Sequence, residues 1–254
     1  MKSLMHNSVK IALAIFLLST TAHATEPVTI GTDLAVKSKY VWRGMPFNDE
    51  AVFWPDAWLY WNGFTLTVFG SLEMTDVYEN QGKFTEVDYY FDYSRSFGNI
   101  NASIGYAHYE YPNTDFLITG ELYGSVSTDF KIVSASLTAY YDIREVEGLY
   151  LLPSVSRTFC IAPIDPTLTL SLGYADKKHN LYYFGLEKAG FTDLTTSLAL
   201  SYAPPGTIGQ YLFFSGDLNY AKILNGDLAD QFPDKDSNFW WGLCISLSYT
   251  LGGE

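Results

Sequence analysis

The chain has 254 residues, 17% of them charged and 17% aromatic, with a formal net charge of −13. Soluble domains carry about 25% charged residues, and a chain this acidic has no electrostatic means of holding nucleic acid. The length suits a single barrel or one large all-β domain.

Residues 1–24 read as a secretory signal. Lys2 and Lys10 supply a positive start, Ile11 to Leu18 a short apolar stretch, and Ala22-His23-Ala24 an A-x-A cleavage site. The apolar stretch is about half the ~20 residues that a membrane helix needs. Cleavage near Ala24 would remove two lysines and no acids, moving the formal charge from −13 to −15. No later stretch is apolar enough to span as a helix, so a membrane-bound mature chain must close into a barrel, which leaves no backbone group unpaired in lipid.

Turn residues then divide residues 25–254 into twelve predicted strands of an antiparallel up-and-down barrel: 28–43, 51–61, 64–75, 84–97, 100–111, 115–128, 131–144, 148–160, 167–184, 191–202, 209–223 and 239–251. Most reach the ~9–11 residues of a tilted transmembrane strand. Asn62-Gly63, 97–99, 128–130, 162–166 and Pro204-Pro205-Gly206 are tight turns, placed on the periplasmic side. The intervening connections 44–50, 76–83, 112–115, 145–148, 177–190 and 225–238 are mostly longer and face outside. Bacterial barrels show that asymmetry.

The last strands state the membrane pattern most plainly. Leu168, Leu170, Leu172 and Tyr174 alternate with Thr169, Ser171, Gly173 and Ala175, and the same rule returns around Leu198 and Ile245. Strand side chains alternate between faces, so each run has one face for lipid and one small, polar face for the lumen. Rings also collect at strand ends, with Tyr40, Trp42, Trp54, Tyr141, Tyr183, Tyr220, Trp240 and Trp241 expected at the outer headgroup level. Phe97, Trp61, Tyr202, Tyr211 and Tyr249 are expected at the inner one.

Parity assigns a different lumen to the first half of the chain. Trp58, Tyr60, Phe69, Glu73, Glu86, Asp88, Tyr90, Asp92, Glu121, Tyr123 and Tyr140 are the expected pore-lining residues, and Lys37, Lys39 and Arg43 form an expected basic cluster in the lumen. Rings and carboxylates suit a narrow path for small neutral or cationic solutes. Equally, the large half could pack into the small half with the three bases neutralising nearby acids. Twelve tilted strands enclose a backbone tube roughly 24 Å wide, which inward rings could narrow greatly.

Other chemistries are weakly represented. His108 and His179 read as loop-rim residues, without the neighbouring serine of a barrel lipid hydrolase, and neither a cofactor nor a metal is predicted. Asn225, Asp227, Asp230, Asp234 and Asp236 could offer oxygen atoms to Ca²⁺, but without fixed spacing the solvated acidic loop is the commoner case. Cys160 and Cys244 are read as free thiols on small-residue faces rather than as a bridge.

At Ser38-Lys39-Tyr40-Val41-Trp42-Arg43-Gly44 the chain resembles the opening strand of the TorF-type porins of Gram-negative outer membranes, where Ser38, Tyr40, Arg43 and Gly44 match the motif. Gly190-Phe191-Thr192-Asp193-Leu194 resembles the entry to a late strand in the same proteins. The resemblance implies an outer-membrane barrel and a pore, and supplies no binding residues to carry over; the expected partners are outer-membrane lipid, lipopolysaccharide and small solutes. The sequence departs from such chains by running past Tyr249 to Glu254 rather than ending on an aromatic residue. The expected function is thus a narrow porin-like channel for passive diffusion. A closed structural or surface-interaction barrel is the alternative.

Overall fold

A computed structural model describes residues 26–230 and 235–252. The predicted signal, with Lys2, Lys10 and Ala24, lies outside the described residues, as does Asp234.

Twelve antiparallel strands close into a barrel in the order β1-β14-β13-β12-β11-β10-β9-β8-β7-β6-β5-β4. They are β1 (Val28–Lys37), β4 (Val52–Trp61), β5 (Phe64–Glu73), β6 (Phe84–Phe97), β7 (Ile100–Glu110) and β8 (Thr119–Asp129), followed by β9 (Ser134–Asp142), β10 (Leu149–Thr158), β11 (Asp165–Ala175), β12 (Gly190–Tyr202), β13 (Leu212–Ile223) and β14 (Ser237–Leu251). The remaining strands, β2 (Tyr40–Trp42) and β3 (Met45–Asn48), pair only with each other. The strand count and the up-and-down order match the expectation from sequence.

The exterior is apolar all round. Each barrel strand exposes at least one large apolar side chain, from Leu34, Leu59, Leu66 and Phe91 through Ile104, Leu122, Leu137 and Val155 to Leu170, Leu200, Leu218 and Ile245. A soluble monomer rarely shows a contiguous apolar patch above a few hundred Å². A closed sheet with an apolar outer face satisfies its backbone in lipid. No helix of the described residues is long and apolar enough to cross a membrane.

Two predicted strands end six or more residues short of their expected bounds. The first ends at Lys37, and Tyr40, Trp42 and Arg43 leave the wall for the β2–β3 hairpin. Arg43 and Gly44, at φ of 49° and 80°, form the two-residue turn between Trp42 and Met45. Positive φ at both central positions is the primed geometry that fits a two-residue hairpin. The segment predicted over 167–184 divides into β11 and a helix, α1 (Lys177–Phe184), because Asp176 caps its start through the His179 amide and Gly185 ends it at φ 68°.

At the turn end, Asn62-Gly63 and Gly98-Asn99 are tight connections as predicted, whereas Pro204-Pro205-Gly206 opens into a 3₁₀ turn over Thr207–Gln210 before β13 begins. At the opposite end lie the β2–β3 hairpin, α1 and the short helix α2 (Gly226–Ala229). There Met45, Phe184, Ile223 and Leu228 form a buried apolar cluster, flanked by Trp42, Tyr183, Leu186 and Ala229. Loops, not wall, make up most of this core.

Candidate functional site: a lumen crossed by a hairpin

The hairpin points into the barrel. It leaves the wall between β1 and β4, yet Arg43 Nη2 lies 2.8 Å from both carboxylate oxygens of Glu121 on β8. β8 is five strands from β1 on the shorter way round. The guanidinium also lies over the rings of Trp42, Tyr140 and Tyr150, at 4.1, 4.9 and 4.3 Å. Arg43 and Glu121 side chains are only 7% and 4% exposed. A buried pair of this kind persists because each charge satisfies the other.

The rest of the hairpin is seated by polar contacts. Asn48 donates to Glu73, which also accepts from Thr85 at 3.2 Å. The Tyr40 ring meets Trp54 edge-on at 5.1 Å and lies beside Glu86 and Asp88. At the tip, a Cβ built on Gly44 would stand 2.6 Å from Cβ of Asp193 on β12, so only glycine fits there. Asp193 is itself held by the Tyr150 hydroxyl at 2.9 Å and Thr192 Oγ1 at 2.8 Å.

Helix α1 closes the same end. His179 is buried beside Arg43, 3.2 Å from Nη1 to Nε2, and stacks on Tyr150 and Trp42. Burial and the neighbouring Arg43 charge push its pKa down to about 3, so the ring is neutral at ordinary pH. Nδ1 faces the Asn180 side-chain oxygen at 3.4 Å, which fits a proton on that nitrogen and leaves Nε2 to accept from Arg43. The expectation of a rim position for His179 is therefore corrected: inward folding of α1 buries it. His108 lies on β7, with Nε2 3.3 Å from Glu110.

The eleven predicted lining residues stand in differing surroundings. Trp58 donates to Asp33 at 3.2 Å, Phe69 packs on Trp54 at 5.5 Å, and Tyr90 donates to Asp88 at 2.9 Å. The Tyr123 hydroxyl donates to Asp92, and Tyr140 faces Arg43. Tyr60 remains exposed near the turn end. Glu73, Glu86, Asp88 and Glu121 are buried, because the hairpin covers them.

The predicted basic cluster is dispersed. Lys37 pairs with Asp217 inside the barrel, Lys39 with Asp49 in the loop at 3.2 Å, and Arg43 with Glu121 across the lumen. Each base has found its own acid, so they form no common site. Lys235 also pairs with Asp49, and despite partial burial the two lysines hold its carboxyl below the usual range.

Several predicted headgroup rings also turn inward. Tyr40, Trp42 and Tyr183 belong to the plug, and Trp54 and Trp240 face the lumen. Tyr141, Tyr220 and Trp241 remain exposed on the outside. The hairpin demanded rings to pack against, which sequence position alone did not disclose. Tyr109, Tyr150 and Asp193 are further site residues that parity did not single out.

Two cavities lie beneath the hairpin, one of about 350 Å³ against Arg43, Tyr140 and Asp193, the other of about 280 Å³ against Tyr40, Trp54 and Asp88. Among the described residues no group of side chains is arranged to hold a metal ion, and Asp227 of the acidic loop pairs with Lys188 instead. Cys160 and Cys244 are unpaired, Cys160 being exposed beyond β10 rather than pointing inward.

No protein-family model matches the chain, and no curated protein matches it in sequence. Solved structures share its fold. The NanC porin superposes with a TM-score of 0.54 at 12% identity, over 85% of this chain and 98% of that one. The KdgM porin gives 0.50 at 11% identity, over 87% and 99%, and its complex with disordered oligogalacturonate gives 0.51 at 12%, over the same shares. The fold is thus that of the twelve-stranded porins.

Proposed function

We propose that this chain is a narrow outer-membrane channel for passive diffusion of small neutral and cationic solutes, exported through the periplasm after signal cleavage near Ala24. The observation that carries the reading is an excess of acidic over basic side chains in the lumen. Asp33, Asp56, Glu86, Asp88 and Asp92 have no basic partner among the described residues, whereas the lumen bases Lys37 and Arg43 are each bound to an acid. Unpaired carboxylates in a low-dielectric bore attract cations and repel anions. KdgM was solved with oligogalacturonate, a polyanion; this lumen is set against such a solute.

The fold likeness and the apolar belt support the membrane location. Ser38, Tyr40, Arg43 and Gly44 support the likeness to TorF-type porins, with the motif serving as a lumen hairpin. The rival, a closed surface-interaction barrel, draws on the burial of Glu73, Glu86 and Glu121 under the hairpin. Planar-bilayer recording in a KCl gradient decides between them. Single-channel events with a cation-side reversal potential support the channel; silence from well-folded protein overturns it, and an anion-side reversal overturns the selectivity.

A further inference from the structure

We infer that the lumen contains a binding site for a small organic cation, an ammonium or guanidinium group, in the cavity of about 280 Å³ where Glu86 and Asp88 face the rings of Tyr40, Trp54 and Tyr90. The inference rests on the channel reading in one respect, that the solute reaches the cavity through the lumen.

The first observation is an orphaned oxygen. Asp88 is only 2% exposed, and its Oδ2 accepts from the Tyr90 hydroxyl at 2.9 Å, but its Oδ1 has no hydrogen-bond donor. An unpaired buried carboxylate oxygen is costly and calls for a donor or a cation. Glu86, two residues along the same strand face, is 5% exposed, and Asp56, level with Asp88 two strands away, also lines the cavity. None of the three is in an ion pair among the described residues, and the nearby bases are committed to Asp217 and Glu121.

The second observation is the walls. Tyr40 and Trp54 stand edge-to-face at 83°, with ring centroids 5.1 Å apart. Aromatic faces set around an acidic group are what a quaternary ammonium or guanidinium prefers, since the ring quadrupole attracts a diffuse charge. Trp54 already receives one cation, with Lys37 Nζ lying 5.6 Å from its centroid. The carboxylates do not converge on a point where a metal ion could sit, again among the described residues. A larger, softer cation spans them instead.

The test is calorimetric titration of the full detergent-folded barrel with choline chloride at constant ionic strength, against its uncharged isostere 3,3-dimethyl-1-butanol. Choline is expected to bind saturably and at least about tenfold more tightly than the isostere, with KCl unable to compete at equal concentration. Asp88→Asn and Glu86→Gln should each weaken choline about tenfold while retaining the heat-induced gel shift of a folded barrel. Should Asp88→Asn fail to fold, Trp54→Leu provides the second reading through the aromatic wall. Equal binding of the isostere, loss of choline to KCl, or unchanged affinity in the folded variants overturns the site. Choline binding without conductance overturns the channel and leaves the site standing; conductance without choline binding does the reverse.

Discussion

Arg43 and Glu121 join the tip of an inserted hairpin to the far wall of the barrel, one guanidinium nitrogen standing 2.8 Å from each carboxylate oxygen across 78 positions of sequence. Removing one partner of a buried pair costs about 3–5 kcal/mol, because the other charge is left without water or a counter-charge. Here the structure has an escape: if the hairpin swings out, Glu121 regains solvent. Arg43→Met should therefore release the hairpin while the wall survives. Trypsin should then cut after Lys39 about a hundredfold faster than in the parent, and adding Glu121→Met should restore most of the protection. Unchanged cleavage of Arg43→Met would show that the pair does not hold the hairpin.

His179 makes docking of α1 sensitive to acid. Its pKa of about 3 lies below the ordinary 6.5, so the folded state binds fewer protons than the unfolded state between those values. The contribution is fully present above about pH 6.5 and is lost as the pH falls toward 3. Protonation would set a second positive charge 3.2 Å from Arg43. His179→Phe keeps a ring between Trp42 and Tyr150 but cannot titrate. Thermal melts at pH 7 and pH 4 should show a smaller acid-induced drop in Tm for this variant than for the parent. Lumen carboxylates titrate in both proteins, so an identical drop would remove His179 from the account.

The outward assignment of the apolar face has its own check. Ile245 is exposed on β14 between Leu34 and Phe214, which are also exposed. Placing Arg there should cost about 2–4 kcal/mol if the site is near the bilayer midplane. Reversible unfolding in lipid vesicles measures this directly. A variant as stable as the parent would mean that the face does not meet lipid.

Much of this arrangement was legible from the chain. Alternation of Leu168, Leu170 and Leu172 with Thr169 and Ser171 encodes a two-sided wall, and parity alone turned Asp88, Tyr90 and Glu121 inward. The hairpin was not legible, because Ser38-Lys39-Tyr40-Val41-Trp42 continues the same period. A strand between lumen and lipid and a strand between plug and wall both alternate. Arg43-Gly44 was the available turn signal, and Asp176 with Gly185 would have bounded the helix hidden in segment 167–184.

The two motifs behind the family resemblance meet in space. Gly44, at the end of the first, abuts Asp193 of the second, so close that a Cβ would clash. Their separation of about 150 positions in sequence hides a single contact at the hairpin tip. That contact explains why position 44 carries no side chain.

The central claim is that the hairpin, not the wall, sets the bore. Because Lys37 and Val52 are direct partners across β1 and β4, the excursion over residues 38–51 can be replaced by an Asn-Gly turn without altering the barrel register. Single-channel conductance of this variant, compared with the parent in the same bilayers, is the direct measurement. A folded, heat-modifiable barrel with several-fold larger conductance is the predicted result. A folded barrel whose conductance equals that of the parent would contradict the claim.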